Sequence, residues 1–440
     1  MKREAYRAVN VKQVFIEPLV ADKAGLTADV GIDVSKSDLL AVLRWSDSRF
    51  ERPWRVKNPE EIPDLIHRLQ PLAEGRSLTI ALESTGTYGD ALRQALTDAK
   101  LSAHRVSGKA VHDYAEIFDG VPSQHDGKDA AIVAELAALG KSSPWPYQPP
   151  TEFDQELEYW VERADTQQRI EMIWLGQLEA LLARHWPEAT RYLELSSETL
   201  LQVLMAYGGP AGLAADPGAA KRLRSWGGRF LDEEKIERFV QVAGSSIGVR
   251  QTAVDRRRIE ECARAAWTAK HEVQKAAATA EKLAQDHTIL ARLAAVVGWM
   301  TACVLWVFLG NPANYHCAEA YRKAMGLNLK ERSSGRHEGQ LKITKRGPGV
   351  VRRWLFFAAM RWVQRPGVVE WYEAKKARHP KGGTLALVAV MRKLALGLHA
   401  MVVGSDPFDA KRLFSPEIGK RARRGKKKAK KEQKKERQKV

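Results

Sequence analysis

Ala28-Asp29-Val30-Gly31-Ile32-Asp33-Val34-Ser35-Lys36 is the stretch whose reading decides the fold. It is an apolar run of strand character that ends on a carboxylate, Asp33. Two further motifs share the theme. Ala81-Leu82-Glu83-Ser84-Thr85-Gly86 ends a second apolar run, and Asp126-Gly127-Lys128-Asp129-Ala130 opens an Ala/Leu-rich helix. Acids at two strand ends and one helix start supply the oxygen ligands that hard divalent cations prefer. Two such metals a few ångströms apart clamp the attacking and leaving oxygens of a phosphodiester.

Working outward, the pattern predicts strands over Asp29–Val34, Leu39–Trp45 and Trp54–Lys57, then a helix over Glu60–Gln70 with Ile62, Leu65, Ile66 and Leu69 at helical spacing. A strand over Leu78–Leu82, a helix over Tyr88–Ala99, a strand over Ala103–Val106 and helices over Lys109–Phe118 and Asp129–Leu139 follow. Three strands, helix, strand, helix, strand, helices is the order of a ribonuclease-H-like α/β sheet. In that order the first and fourth strands are neighbours, so Asp33 and Glu83 are expected to meet.

The stretch Lys141–Pro150 holds four prolines and reads as a boundary. Beyond it the chain is all-α in character. Glu152–His185 contains no proline and one glycine, and Arg250–Val297 contains neither. A helix over the latter would run about 70 Å, and the two are expected to pair as an antiparallel coiled coil or stalk. The expected organisation is an N-terminal arm (1–25), an acidic α/β domain (26–145), a long-helix region (146–289), a helical C-terminal domain (290–405) and a basic tail (406–440).

The net charge is +18, and Gly419–Val440 carries 13 Lys/Arg against 2 Glu, so +11 of it lies in the tail. A basic body with a basic tail points to a polyanion as partner. The three cysteines form no C-x-x-C pair and their odd number argues against a disulfide framework, as expected in a reducing cytoplasm. Met1–Val20 has no signal-peptide core. The most apolar stretch, Leu293–Leu309, is 17 residues without a charge, short of the roughly 20 of a membrane span. Gly298 and Asn311-Pro312 predict paired buried helices there instead.

Each acid has a plainer reading. Asp126 suits a helix cap, Asp129 a first-turn acid favoured by the macrodipole, Asp33 a turn, and Glu83 a surface position. Together they are better explained by a cation, because unpaired carboxylates at the ends of buried runs are costly. A second constellation joins Gly326-Leu327-Asn328, Arg332-Ser333-Ser334-Gly335, Ile343-Thr344-Lys345-Arg346-Gly347 and Arg352-Arg353-Trp354-Leu355. Lys330–Arg353 holds eight Lys/Arg and two Glu. A serine among cations suits attack on phosphate if a base or metal activates it. The plainer reading is a Ser-Ser-Gly turn on a basic surface. Arg332, Arg336, Lys342, Lys345, Arg346, Arg352 and Arg353 are the expected nucleic-acid contacts. The histidines give no zinc spacing, Gly86-Thr87-Tyr88-Gly89 is no P-loop, and no H-x-x-R precedes a C-terminal tyrosine. Most of the 13 tryptophans are expected in packing, with Trp54 between Arg52 and Arg55 the one placed to stack on a base.

These motifs, in order and spacing, resemble the DEDD-type insertion-sequence transposases with a C-terminal serine domain, the bridge-RNA-guided recombinases related to Piv invertases. The resemblance covers 28–140 and 288–400. It implies a RuvC-like domain in which Asp33, Glu83, Asp126 and Asp129 bind Mg²⁺. It also implies a serine that becomes linked to DNA, Ser334 by position, with Ser333 the other candidate. It further implies a structured non-coding guide RNA, a homo-oligomer in which one protomer's serine completes another's acidic site, and residence at the bacterial nucleoid in the cytoplasm. The chain departs from the pattern at Gln124-His125, where Lys-Thr is usual, and at Val297-Gly298-Trp299-Met300, where P-G-I-G is usual. The alternative class is a metal-dependent nuclease or junction resolvase without serine chemistry. A non-enzymatic nucleic-acid scaffold is disfavoured by intact acids at all four positions.

Overall fold

The computed structural model describes residues 7–83, 86–121, 125–334, 337–378, 382–404 and 406–415. Two compact units divide at Pro149/Pro150, inside the predicted proline-rich boundary.

The first unit is a mixed sheet between two layers of helices. Its seven strands, β1 (Val9–Asn10), β2 (Ala28–Val34), β3 (Asp38–Trp45), β4 (Trp54–Lys57), β5 (Leu78–Glu83), β6 (Ala103–Val106) and β7 (Ser143–Pro144), lie in the order β1-β4-β3-β2-β5-β6-β7. β2 pairs antiparallel with β3 and parallel with β5, so the first and fourth predicted strands are neighbours, as the ribonuclease-H-like order requires. Alternation explains the layers. Val30, Ile32 and Val34 pack on one face with Leu65 and Leu69 of α2 (Ile62–Ala73) and Leu92 and Leu96 of α3 (Asp90–Asp98). The opposite face carries α4 (Gly108–Asp119) and α5 (Asp126–Ala138), with Leu40 and Val42 of β3 against Ala130 and Ala131.

Residues 7–20 do not stand apart as an arm. β1 adds parallel to β4, and Val11, Val14 and Ile16, the last in the short α1 (Ile16–Val20), are buried in the core. A two-residue strand and single helical turns are too short to carry a readable period. Trp54 is also in that core, 2% exposed, which removes it as a base-stacking surface.

The second unit is built on α6 (Glu152–His185) and α12 (Ala253–Ala284). Arg163 pairs with Glu272 and His185 with Asp255, so the helices run antiparallel. Buried Leu157, Val161 and Ala164, and again Leu175, Leu178 and Leu182, recur at steps of three and four, the spacing of a helix–helix seam. Between them, α7 (Ala189–Tyr192), α8 (Glu198–Tyr207), α9 (Pro210–Ala215), α10 (Ala219–Gly227) and α11 (Glu233–Gly244) close one core around Trp186 and Phe239.

The predicted single helix over Arg250–Val297 is two. α12 stops at Ala284 and α13 (Thr288–Val297) starts afresh, although no glycine or proline intervenes. His287 accounts for the break. Its ring stacks on Phe153 and meets Trp306 edge-on, and its side chain caps α13 by accepting from the Leu290 N–H at 3.3 Å. Gly298 separates α13 from α14 (Trp299–Leu309), as predicted for the apolar stretch.

A second core gathers α13, α14, α15 (Ala318–Ala324), α16 (Gly349–Trp362), α17 (Val368–Lys376), α18 (Gly382–Val403) and α19 (Ala410–Phe414) with the Leu157 end of α6. Phe414 is buried, so the fold continues past the predicted tail start at 406. Among the described residues α18 alone is long and apolar enough to cross a membrane, and half of its apolar window is buried in this core. The region is not purely helical. β8 (Leu329–Ser334) and β9 (His337–Ile343) form an antiparallel hairpin, so Ser333 and Ser334 lie on a strand rather than in an open turn. The basic segment Gly419–Val440 lies outside the described residues.

Candidate active site

The acids come together because α5 lies almost on the backbone of β2. A side chain on Gly31 would begin 2.1 Å from the Ala130 carbonyl oxygen and 2.2 Å from the Ala134 nitrogen. Only glycine permits that approach. Asp33 is two residues on, hence on the same face of the strand. Asp126 and Asp129 occupy the first turn of α5, as their i, i+3 spacing predicted. The β2–β5 ladder ends at Ile32–Leu82, which makes Asp33 and Glu83 the next residue of each strand. Glu83 leans on the first residue of α4, its Oε1 only 2.2 Å from where a Gly108 side chain would begin.

The electrostatics report the convergence. The Asp33 carboxyl is pushed up to about 6, first by burial and then by repulsion from Asp126, Glu83 and Asp129. Glu83 is raised by burial and by Asp129. Asp129 is raised chiefly by burial, with His125 and His112 pulling against Asp126. The carboxylates face one another without closing into a shell: among the described residues, no group of three or more His, Cys, Asp or Glu stands at coordination spacing. The site nevertheless suits a hard divalent cation. Its donors are all oxygen, the group is mutually repulsive, and Asp129 Oδ1 is buried with no hydrogen-bond partner among the described residues.

Two residues that pattern reading passed over fix the α4–α5 corner. Lys128 is fully buried, and its Nζ donates to Asp119 Oδ1 and to the Val121 carbonyl, each at 2.6 Å. This holds the Asp119 carboxyl below its ordinary range. The signal was present: Lys128 stands among Gly127, Ala130, Ala131 and Ile132, where a helix turns its apolar face inward. His125 is the N-cap of α5, its side chain accepting from the Lys128 N–H. It fills the capping role at the position where the sequence departs from the resembled pattern.

In the second unit, the expected DNA-contacting cations divide. Lys342, Lys345 and Arg346 are exposed. Arg352 is not a free cation: it donates to the carbonyls of Met325 at 3.2 Å and Gly347 at 2.8 Å, clasping together the turns before and after the hairpin. Arg353 is an internal partner as well, ion-paired with the buried Asp165 of α6. Burial lowers the pKa of both guanidiniums. Ser334 pairs with His337 across the hairpin, and a register shift falls between Arg332 and Ser334. The side chains of Arg332, Ser333 and Ser334, together with Gly335 and Arg336, lie outside the described residues.

Two structures of RuvC from Thermus thermophilus are similar to part of the chain. One, in complex with a Holliday junction substrate, is 16% identical with a TM-score of 0.21 and covers 27% of this chain and 99% of its own. The other is 17% identical with the same TM-score and covers 27% and 100%. No curated protein matches the sequence. Residues 30–187 match the DEDD transposase model of the IS110 type, described as "Transposase". Residues 291–373 match the model described as "Transposase IS116/IS110/IS902 family". The first match runs from the acidic unit through α6, the second covers the hairpin region, and together they span more than half of the chain, which carries both domains of the IS116/IS110/IS902 transposase family and belongs with it.

Proposed function

We propose that the protein is the transposase of an insertion sequence, cutting and rejoining DNA strands through a serine nucleophile and an acidic tetrad. The observation that carries this reading is the convergence of Asp33, Glu83, Asp126 and Asp129 on one face of the sheet, each of the first two at a strand end. These four would hold Mg²⁺, which would supply Lewis-acid polarisation of the scissile phosphate. The chain's own residues do the rest. Asp33 is held by β2, Asp126 and Asp129 by the first turn of α5, and Lys128 with Asp119 keeps that turn in place.

Ser334 attacks the phosphorus through Oγ. A bond forms between Oγ and phosphorus as the bond from phosphorus to one sugar oxygen breaks. The hydroxyl proton leaves Oγ, and the departing sugar oxygen takes one up. Attack by a strand-end hydroxyl on the phosphoserine reverses the exchange and releases Ser334. Lys342, Lys345 and Arg346 are exposed cations suited to the DNA backbone, and Arg332 and Arg336 flank the serine in sequence. The acidic and serine motifs lie in separate units, which allows the serine of one protomer to serve the acids of another, in a dimer or larger oligomer. A structured non-coding RNA of the element guides the choice of DNA, and the protein works at the bacterial nucleoid.

The test is a covalent adduct. The full chain, incubated with target DNA and guide RNA, is expected to form a protease-sensitive DNA adduct that Ser334→Ala lacks and Ser333→Ala retains. An adduct that persists in Ser334→Ala transfers the role to Ser333. Strand cutting with no adduct in any variant means a metal-dependent nuclease or junction resolvase instead. Asp33→Asn is expected to abolish strand cutting in a folded protein.

A further inference from the structure

Half-buried arginines in the second unit are mostly accounted for. Arg353 has Asp165, Arg352 has two carbonyls, Arg361 has the Val297 carbonyl and Arg292 that of Met401. Arg322 on α15 and Arg392 on α18 differ. Their helices pack together, and Arg392 is held below its ordinary range by burial and then by the charge of Arg322. Arg322 donates through Nη2 to Asn328 Oδ1 at 3.4 Å, a long contact with a neutral acceptor, and its Nε is buried with no partner among the described residues. Arg392 has no hydrogen bond or ion pair among the described residues. The nearest acid in sequence, Glu319, one turn before Arg322, is exposed and joins no ion pair among the described residues.

Two like charges half-withdrawn from water and brought within each other's field destabilise the free protein unless an anion sits between them. A guanidinium pair offers several N–H donors in fixed planes, which suits the several acceptor oxygens of a phosphate better than one point charge. The location narrows the source. Asn328 immediately precedes β8, and its carbonyl accepts from the Thr344 N–H at 2.7 Å, just past the end of β9. The site is thus the foot of the hairpin. Six residue steps carry the chain from Asn328 to Ser334, about 20 Å at the rise of an extended chain, well within the length of DNA that a strand-cutting enzyme must hold.

We propose that Arg322 and Arg392 form a phosphate clamp at the foot of the β8–β9 hairpin and grip a phosphodiester of the DNA presented to Ser334. The use of that phosphate rests on the function proposed above, whereas the clamp itself does not. The first measurement is thermal unfolding of the full chain as sodium chloride is replaced by sodium phosphate at constant ionic strength. The midpoint is expected to rise by about 2 °C or more in the wild type, as for any ligand that binds only the folded state. The rise is lost in Arg322→Gln and in Arg392→Gln and kept in Ser334→Ala. Arg392→Lys, which retains charge but not the planar fork, is expected to keep only part of it. The second measurement is binding of a short DNA duplex across a range of salt. Each glutamine variant is expected to lower the slope of log affinity against log salt by about 0.9, the value of one neutralised phosphate.

An equal phosphate rise in the wild type and both glutamine variants overturns the clamp. A rise that depends on the pair, with an unchanged DNA salt slope, overturns the DNA assignment in favour of free phosphate. If Ser334→Ala still joins strands, the proposed chemistry falls while both clamp measurements stand.

Discussion

The acidic site of the first unit and the hairpin region of the second each gather charge of one sign, but they hold it differently. Three of the acids are carried on a strand and a helix whose backbones touch at Gly31, and Glu83 ends the neighbouring strand β5, so their positions follow from the packing of the sheet against α5. The serine is carried on a two-stranded hairpin, an element that needs support from its surroundings to be stable. That support comes from below: Arg352 clasps the turns on either side of the hairpin, and the Gly326 carbonyl accepts from the Lys345 N–H at 3.0 Å. One half of the proposed chemistry is therefore preorganised by the core. The other half stands on an outlying element with its cations at the base.

The contrast is broken most directly at the α4–α5 corner. Asp119→Asn leaves the fully buried Lys128 without its carboxylate and is expected to cost about 3 kcal/mol or more, as for other buried pairs with one partner removed. Adding Lys128→Met should restore most of the loss, and a urea double-mutant cycle reads the coupling. Additive losses would mean that the pair does not hold the corner. Next comes Gly31→Ala. Its new methyl meets backbone rather than a movable side chain, so a loss of about 1–3 kcal/mol is expected, together with reduced strand cutting as α5 is displaced. A variant of wild-type stability and activity would show that the acids do not depend on this contact.

A smaller effect, of opposite sign, is expected for Asp33→Asn in the absence of divalent metal. The Asp33 carboxyl titrates near 6 in the fold, above its ordinary value of 3.8. The folded state therefore keeps a proton that the unfolded chain has released, and stability falls as pH rises from about 4 to about 6. Removing the charge should stabilise the metal-free protein above pH 6, by on the order of 1 kcal/mol after screening at this partly exposed group. The gain should vanish near pH 4. Unfolding midpoints measured across that range check it, and a gain that persists at pH 4 would point to packing instead of charge. The smallest effect on the fold is expected from deleting Gly419–Val440. Unfolding should be unchanged, while the net +11 it carries should steepen the salt dependence of nucleic-acid binding when present. An unchanged salt slope after deletion would assign the tail another role.

Much of this was legible along the chain. The alternation in Asp29–Val34 and the continuous apolar run of Leu39–Leu43 mark strands, and the three acidic motifs fall at strand ends and at the start of α5. The paired apolar helices around Gly298 were equally readable. What the sequence by itself determined are features with a local cause: a period of two or 3.6, a glycine, a cap, a carboxylate at the end of an apolar run. Tertiary structure decided which charges are free. The neighbours of Lys128 in sequence mark it as buried but do not name Asp119 as its partner, Arg353 looks like any other basic residue until Asp165 is brought beside it, and Arg352 becomes a clasp only because the turns on either side of the hairpin present the Met325 and Gly347 carbonyls. It also decided that α12 ends at Ala284, where His287 finds Phe153 and Trp306. Burial periodicity is written in each segment, but the partner of a buried charge or ring comes from another segment, and the energy that fixes it exists only once the two have met.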